Sequence, residues 1–317
     1  MKKFLPSCVA AVLMCAGLAH AKYPEKPITL MLPFAPGSAT DSVARIVGKA
    51  LSERIGQPVV VEPKPGANGQ IGTSAAARSA PDGYTLFMGT TGTHSSNPAL
   101  FKRISYDPVK DFAPILLVGE VPFVLVANNN VPARSLDEFI RYGRQNPDKL
   151  FYAYAAPTSQ VAGETFVRMA NIKSSGVSYK SSPQAAVDLI AGHSQFYFID
   201  FSTGLPHIRS GSMRAIAVAG ERTDMLPGVP PVSSALPGLV LTSWNGIFAP
   251  AGTPKEIVNY LNAELRAVLK MPAVRQSLQG IGFEILGTGT PEDFGAVIGS
   301  DLKKWAQWIE QAGIKPQ

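Results

Sequence analysis

The sequence predicts an α/β protein in which mostly parallel sheets are divided between two lobes. Short β-branched or apolar runs alternate with segments of helical apolar spacing over most of the chain, a pattern typical of βαβ units. The alternation restarts near residue 124, and a turn-rich segment at 226–238 precedes one further strand. The length of 317 residues, at about 100 to 200 residues per domain, favours two domains.

The first half of the chain follows this alternation without interruption. Strands are predicted at 28–32, 59–62 and 84–88, with helices at 41–55 and 71–80. The first helix places Val43, Val47 and Leu51 at helical spacing on one face. The order strand, helix, strand, helix, strand predicts a parallel sheet covered by helices.

The second half repeats the pattern and then becomes helical. Strands are predicted at 124–127, 150–154, 177–179, 196–199, 214–217 and, after the turns, 246–249. Ser135 and Glu138 have the spacing of a capping box, which marks a helix start. Two helices near the end each begin with Thr-Pro, so Thr253 and Thr290 are predicted to cap them.

The first 21 residues have the form of a secretory signal peptide. Lys2 and Lys3 precede an apolar stretch at 4–18, and Ala-His-Ala at 19–21 predicts cleavage after Ala21. An alternative reading, a lipid anchor at Cys15, is weakened because Met14 stands where a small residue is wanted. Both cysteines lie in this segment, so we expect an exported protein whose mature chain has no thiols or disulfides.

Composition and missing motifs exclude several classes of function. The formal net charge is +6, but the basic residues are scattered, so we expect no nucleic-acid partner. The chain has no Walker lysine motif, G-x-G-x-x-G, G-x-S-x-G or H-E-x-x-H. His94, His193 and His207 lack metal-ligand spacing and are interpreted as packing or surface residues, although His94 follows a candidate loop. We therefore expect no metal, no cofactor and no catalysis.

Five loops rich in small and hydroxylated residues follow predicted strands. They lie at 35–40, 89–93, 155–159, 179–182 and 200–204. In an open α/β sheet, such loops share one edge and helix N-termini present free amides there, so they predict one anion site between two lobes. In the first loop Gly37 allows close approach, and Thr40 or Asp41 is the predicted cap. Spacing alone is equally compatible with an ordinary capped loop.

A set of longer stretches carries a family resemblance. They are "PFAPGSATDSVAR", "IGQPVVVEPKPGANGQIGT", "SAPDGYTLFMGTTG", "YDPVKDFAPI", "GSMRAIAVAGERTDMLPGVPPV", "FAPAGTPKEIVNYLNAEL" and "KKWAQWIEQAGI". On these stretches the chain resembles the Bug, or tripartite tricarboxylate transporter, family of periplasmic solute receptors. The resemblance implies a two-domain periplasmic-binding-protein fold of type II, the Venus-flytrap form, with two crossing strands. It also implies that a small carboxylate is bound between the domains and delivered to integral-membrane permease subunits.

The resemblance and the loop analysis together name the residues expected to face the ligand. They are Pro36, Gly37, Ser38, Ala39, Thr40, Asp41, Thr90, Thr91, Ala156, Thr158, Ser159 and Asp200. The family often has Gly-Gly where this chain has Gly37-Ser38, Tyr-Lys-Gly where it has 179–181, and Val-Asp where it has 194–195. These departures touch cleft loops and so bear on ligand identity. A C4 to C6 dicarboxylate or an aromatic carboxylate is expected.

The expected domains are 22–122 with 245–317 and 123–244, in a monomer that closes around its ligand. Two other functions stay open on sequence alone. One is a periplasmic sensor that passes ligand status to a signalling partner, since it would share the fold. The other is a secreted serine hydrolase with Ser38 or Ser159 as nucleophile and His94 as base, for which the sequence offers no triad spacing.

Overall fold

A mixed sheet runs through the part of the chain that the computed structural model describes, namely residues 23–220, 225–287, 289–311 and 313–316. The predicted signal peptide, with its cleavage site after Ala21 and both cysteines, lies outside the described residues. Among the helices of the described part, none has both the length and the apolar character required to cross a bilayer.

The described residues contain ten strands and ten helices. The strands are β1 (Ile28–Leu32), β2 (Val59–Pro63), β3 (Thr85–Thr90), β4 (Phe112–Ala127), β5 (Phe151–Tyr154), β6 (Ser175–Ser178), β7 (Phe196–Asp200), β8 (Arg214–Val218), β9 (Thr242–Pro250) and β10 (Glu284–Ile285). The helices are α1 (Ala39–Ile55), α2 (Gln70–Ala77), α3 (Asn97–Leu100), α4 (Leu136–Gln145), α5 (Pro157–Met169), α6 (Ser182–Ala191), α7 (Phe201–Arg209), α8 (Lys255–Lys270), α9 (Pro272–Gly280) and α10 (Pro291–Gln311). Short helical turns lie at Ala67–Gly69, Gly92–Ser96 and Val232–Ser234.

Parallel pairing is confined to the two ends of the sheet. The strand order is β2-β1-β3-β9-β4-β7-β5-β6, and β8 and β10 pair with β4. β1 runs parallel to β2 and β3 at one end, and β5 runs parallel to β6 and β7 at the other. β4 and β9 pair antiparallel to each other and to the strands beside them. The predicted α/β class with two crossing strands is confirmed, and the crossing strands make the sheet mixed.

β4 connects the two halves by changing partners along its length. Its residues 112–122 pair with β9, and its residues 123–127 pair with β7 and β8. In this region the sequence predicts a strand only at 124–127. One continuous strand of 16 residues tolerates Pro114 because the register with β9 shifts between Pro114 and Leu116.

The first helix begins two residues before the predicted helix start at Asp41. Ser38 is the N-cap, and its Oγ accepts a hydrogen bond from the Asp41 amide at 3.2 Å. The prediction that Thr40 or Asp41 caps α1 is therefore wrong. Asp41 lies in the first turn, where its Oδ2 accepts from the Gly37 amide at 2.9 Å. Gly37 has a φ of 80°, which glycine adopts without strain. The turn at Gly37 allows α1 to begin at Ala39, closer to the N-terminus than predicted.

Three other predicted helix starts have different outcomes. Ser135 caps α4 as predicted, although Glu138 accepts from the Arg134 amide and not from Ser135. Thr290 caps α10, since its Oγ1 accepts from the Asp293 amide at 3.2 Å. The prediction for Thr253 is wrong because α8 begins at Lys255 after an extended Pro254, and the Thr253 hydroxyl donates to a carbonyl of β9.

The apolar faces of the helices pack against the sheet. Val43, Val47 and Leu51 of α1 are buried in the same cluster as the inward side chains of β1. This cluster continues along β4 and β9 into the second half of the sheet. The strands and the helix starts are thereby held in fixed positions at the sheet edge where the predicted site loops lie.

Candidate functional site

A small cavity lies at the edge of the sheet where β1, β3, β5 and β7 end. Its volume is about 60 Å³, and it opens toward a wider cleft of about 690 Å³ that shares Phe34, Ala35 and Lys180 with it. The cavity is lined by Phe34, Ala35, Ser38, Ala39, Thr40, Thr90, Val121, Phe123, Ala155, Ala156, Thr158, Ser159, Lys180, Ser181, Ser182, Tyr197, Asp200, Ser243 and Asn245.

Two helix N-termini meet at this cavity from opposite halves of the sheet. Ala39 and Thr40 open α1, and Thr158 and Ser159 follow Pro157 in the first turn of α5. Within the described chain, the amides of these four residues have no hydrogen-bond acceptor. First-turn amides of this kind carry the positive end of the helix dipole, so the cavity suits an anion, a carboxylate included.

Two of the hydroxyls that line the cavity also build its walls. The Ser159 Oγ accepts hydrogen bonds from the amides of Ala155 and Ala156, each at 3.2 Å, and donates to the Ala156 carbonyl at 2.9 Å. The Ser38 Oγ accepts from the amide of Asp41. These bonds fix the conformation of the two loops from which α1 and α5 begin.

Asp200 forms a buried polar network on the wall made by β7. Its Oδ1 accepts from the Thr203 amide at 2.8 Å and from the Ser202 hydroxyl at 2.7 Å. Its Oδ2 accepts from the Ser182 hydroxyl at 2.8 Å. The Ser182 hydroxyl also lies 3.0 Å from the hydroxyl of Tyr197, whose pKa is raised by burial and by the charge of Asp200. Asp200 is therefore a helix cap whose oxygens are already used, and it adds rigidity to this wall.

The two crossing strands form the remaining wall of the cavity. β4 contributes the apolar side chains of Val121 and Phe123, and β9 contributes Ser243 and Asn245. Asn245 is 1% exposed, and its Nδ2 has no hydrogen-bond partner in the described part of the chain. This wall thus combines an apolar surface with an unsatisfied donor.

The structure brings most of the predicted site residues to this one cavity. Those that line it are Ser38, Ala39, Thr40, Thr90, Ala156, Thr158, Ser159 and Asp200, whereas Pro36, Gly37, Asp41 and Thr91 are outside the lining. The amide of Gly37 is bonded to Asp41, and the Thr91 Oγ1 accepts from the Trp244 amide at 2.9 Å. Gly37, Asp41 and Thr91 therefore have structural partners of their own.

Sequence reasoning found Thr90 and Asp200 at the ends of β3 and β7 but missed the lining residues that lie farther inside strands. Val121, Phe123, Tyr197, Ser243 and Asn245 were not predicted, whereas the loop at 179–182 was a candidate and contributes Lys180, Ser181 and Ser182. Side chains alternate between the two faces of a strand, so the loops alone give no signal for them. The register of β9 against β3, which pairs Asn245 with Thr90, is the signal that locates Asn245.

The structure does not pair His94 with Ser38 or Ser159, as the serine-hydrolase alternative requires. His94 is fully buried among the rings of Phe87, Phe112, Trp244 and Phe248, and stacks on Phe248 with ring centroids 4.1 Å apart. Its Nδ1 lies 2.9 Å from the Thr93 hydroxyl, and burial lowers its pKa to about 3. The hydroxyls of Ser38 and Ser159 are bonded to backbone groups instead. In the described residues, no group of three or more His, Cys, Asp or Glu side chains could hold a metal ion.

A second groove lies on the opposite face of the crossing strands. We call it the back groove; its volume is about 300 Å³, and its lining includes Glu120, Thr242, Trp244, Asp301, Lys304, Trp305 and Trp308. The Trp244 Nε1 donates to the Asp301 Oδ2 at 2.7 Å. Burial, with smaller contributions from the charges of Glu284 and Asp301, raises the pKa of Glu120. The Trp244 indole and the Asp301 carboxylate are thus paired with each other in this groove.

The fold and the cavity together define the class of protein. Two parallel-stranded halves share two crossing strands, and an anion-compatible cavity lies between helix N-termini from both halves, as in periplasmic solute-binding proteins. Similar solved structures include periplasmic binding protein BugD, 33% identical with a TM-score of 0.89 over 93% of this chain and 100% of that one.

Comparison with known protein families identifies the family to which the chain belongs. Residues 43–314 match the model of TctC, the tripartite tricarboxylate transporter family receptor, so the chain belongs to this family of periplasmic solute receptors. Protein BugT of Bordetella pertussis is 33% identical over 312 residues, which are 97% of this chain and 95% of that protein. The predicted resemblance is confirmed.

Two further solved structures hold ligands. R. palustris Rpa4515 with adipate is 33% identical, with a TM-score of 0.90 over 93% of this chain and 100% of that one. MatC from Rhodopseudomonas palustris with bound malate is 31% identical, with a TM-score of 0.86 over 90% of this chain and 100% of that one. Both ligands are dicarboxylates.

Proposed function

We propose that this chain is the periplasmic receptor of a tripartite tricarboxylate transporter, and that it binds a small carboxylate and delivers it to the permease subunits. The observation that carries the proposal is the pair of helix N-termini at one cavity, which is lined by Ala39 and Thr40 from the first turn of α1 and by Thr158 and Ser159 from the first turn of α5. Adipate and malate in similar receptors support a dicarboxylate, and an aromatic carboxylate remains in the proposal.

In this proposal the predicted site residues have two roles. Ser38, Ala39 and Thr40 on one side, and Thr158 and Ser159 on the other, hold one ligand carboxylate through amides and hydroxyls. Thr90, Ala156 and Asp200 shape the cavity around it. Gly37, Asp41 and Thr91 act indirectly by fixing the loop and the crossing strand, and Pro36 precedes the turn at Gly37.

We propose that the chain divides into a first domain of 22–122 with 245–317 and a second of 123–244. In the described residues, the hydrogen bonds between these units include one at the cleft, from the Asn68 Nδ2 to the Gln160 Oε1 at 3.4 Å, and one from the Arg168 guanidinium to the Gly313 carbonyl at 3.2 Å. A ligand held by both domains favours their closed arrangement. Small-angle X-ray scattering tests this, and an unchanged radius of gyration at saturating ligand would contradict it.

The remaining parts of the proposal follow from export and family. The segment 1–21 is a signal peptide cleaved after Ala21, and the exported chain acts as a monomer without cofactor or catalysis. Transport is proposed in preference to signalling because the family model that matches is that of a transporter receptor. The acids to be tested first are adipate and malate, the ligands of the two similar receptors.

The proposal is tested by removing the ligand's charge. The free acid is expected to raise the melting temperature of the protein, whereas its methyl ester is not, because only the anion accepts charge-assisted hydrogen bonds from the helix amides. Thermal unfolding with adipate, malate and their dimethyl esters measures this. Equal stabilisation by acid and ester, or none by any carboxylate screened, would overturn the proposal.

A pair of variants at Thr40 separates the amide from the side chain. Thr40→Pro removes the free amide at the second position of α1, and is expected to abolish stabilisation by the acid. Thr40→Val keeps the amide and removes only the hydroxyl, so it serves as the matched control and is expected to retain most of the effect. Circular dichroism checks that both variants fold. Normal acid binding by Thr40→Pro would mean that the ligand is held elsewhere.

A further inference from the structure

Asn245 has a buried polar side chain whose amide nitrogen lacks a hydrogen-bond partner in the described residues. It lies on β9, it is 1% exposed, and it lines the cavity between the two helix N-termini. Its Nδ2 is buried and, within the described residues, has no hydrogen-bond partner. Buried polar side chains are nearly always hydrogen-bonded, so an unsatisfied donor on a cavity wall calls for a group supplied from the cavity.

Other buried asparagines of the chain have clear structural roles. The Asn262 Nδ2 donates to the carbonyls of Ile115 and Gly289 at 2.7 and 3.2 Å. The Asn128 Nδ2 donates to the Leu189 carbonyl at 2.7 Å. Both side chains tie separate segments together, whereas Asn245 ties nothing in the same way. The difference points to a role in the cavity.

We infer that Asn245 is a specificity-determining residue, whose carboxamide donates a hydrogen bond to a second acceptor on the ligand. This inference rests on the proposed function, in which the first carboxylate is bound at the helix N-termini. Val121 and Phe123 line the same wall and offer an apolar surface for the atoms between the two polar ends. The site then selects acids with a second carboxylate over acids that end in a hydrocarbon.

The carboxamide is suited to distinguish a ligand with a second carboxylate from a ligand without one. A carboxamide N–H can donate to a second carboxylate without adding a charge to the cavity, whose lining already contains Lys180 and Asp200. An acid with a hydrocarbon end leaves the same donor unsatisfied and forfeits the hydrogen bond. A site with a buried polar group discriminates against a ligand that lacks the matching group more strongly than an apolar pocket does.

The test compares acids that differ only in their second carboxylate. Adipate with hexanoate, succinate with butyrate, and terephthalate with benzoate are titrated into wild type and Asn245→Leu by calorimetry. Asn245→Leu is expected to bind the preferred diacid about tenfold more weakly, which corresponds to one hydrogen bond to a charged group, and its matching monoacid within twofold of wild type. Asn245→Asp, which can only accept, is expected to weaken diacid binding further by charge repulsion.

Thermal unfolding without ligand supplies the structural control. Asn245→Leu is expected to melt at or above the temperature of wild type, because an apolar side chain of similar size replaces an unsatisfied donor. Asn262→Leu removes two structural hydrogen bonds and is expected to lower the melting temperature while leaving diacid affinity unchanged. Asn245→Ala carries the same binding test if the leucine variant does not fold.

Each result decides between the inference and the function on which it rests. Unchanged diacid binding by Asn245→Leu, or an equal loss for diacid and monoacid, overturns the role of Asn245 and leaves the receptor function standing. Full diacid binding by Asn245→Asp shows that the ligand donates to this residue and also overturns the inference. If the wild-type protein binds only monoacids, the inference about Asn245 is also overturned. A wild type that binds no acid of the panel overturns both proposals.

Discussion

Two neighbouring residues of β9 face opposite sides of the crossing strands and have opposite surroundings. Asn245 faces the ligand cavity, and its Nδ2 has no partner in the described structure. Trp244 faces the back groove, where its Nε1 is bonded to Asp301 and its backbone amide to Thr91. The alternation of side chains along a strand is enough to separate a face available for ligand from a face committed to structure.

The two faces of the crossing strands have different roles in binding and in stability. On the cavity side, free amides at two helix starts and the Asn245 donor are left for a ligand. On the groove side, aromatic rings and paired polar groups hold the strand against α10. Changes on the groove side should therefore alter stability, and changes on the cavity side should mainly alter binding.

The largest expected effect is that of Trp244→Ala. Trp244 is 4% exposed and packs edge-on against Phe294, so the substitution leaves a cavity and an unpaired Asp301. We expect the free energy of unfolding to fall by about 3–5 kcal/mol. Urea denaturation followed by far-UV circular dichroism measures this, with Asn245→Leu as the control on the opposite face. An equal decrease in the free energy of unfolding of the two variants would contradict the view that only the groove side stabilises the fold.

The next effect is a loss of stability in acid that originates at His94. Folding lowers the pKa of this imidazole from 6.5 to about 3 through burial, so its contribution to stability is complete above pH 6.5 and is lost as the pH falls toward 3. The loss approaches about 1.4 kcal/mol per pH unit for uptake of one proton by the unfolded state. Urea denaturation between pH 7 and pH 4 measures the slope.

Two variants isolate the histidine from the other titrating groups. His94→Gln removes the buried imidazole and is expected to reduce the pH dependence, and His193→Gln, at an exposed position, is the comparison variant. If His94→Gln has the wild-type slope, the acid sensitivity originates in other groups.

Ser38→Ala is expected to have a smaller effect on stability, because Ser38 belongs to both the cavity and the helix cap. Loss of the bond from the Asp41 amide should lower the free energy of unfolding by about 1 kcal/mol. Acid binding should weaken by about tenfold, as for the loss of one hydrogen bond. Ser38→Asp restores a cap but places a negative charge at the anion site, so it should regain stability and lose acid binding. A Ser38→Asp protein that binds acid normally would show that the carboxylate is not at this turn.

The smallest effect concerns the contact between Asn68 and Gln160 across the cleft. Its length of 3.4 Å marks a weak hydrogen bond, so Asn68→Gly is expected to lower ligand affinity only about two- to fivefold. Glycine suits this position because Asn68 has a φ of 53°. Calorimetry measures the change, and Gln160→Leu should match it. A loss larger than that of Ser38→Ala would mean that the rim of the cleft contributes more than the helix turn.

Much of the fold and the loop part of the site could be predicted from local patterns. The alternation of strands and helices is a local property, and it located the starts of α1 and α2 to within two residues. The N-cap of α1 was misplaced because Ser38, Thr40 and Asp41 are all good capping residues. The choice among them depends on the left-handed turn at Gly37 and on the bond from Gly37 to Asp41.

The strand part of the site could not be predicted in this way. β9 begins at Thr242, four residues before the predicted strand, because Thr-Ser-Trp-Asn lacks a run of β-branched residues and is ordered by pairing with β3 and β4. Which of Trp244 and Asn245 faces the cavity depends on register with strands distant in sequence. Such long-range pairing is not visible in any short stretch of the chain.

The placement of the aromatic side chains in the back groove gives the protein a built-in optical signal. The chain has three tryptophans, and all three line that groove while none lines the cavity. A bound carboxylate would therefore be out of contact with every indole ring. Any change in intrinsic tryptophan emission during a titration would report movement of the crossing strands against α10. The ratio between this signal and the heat of binding would tell how tightly closure is coupled to occupancy.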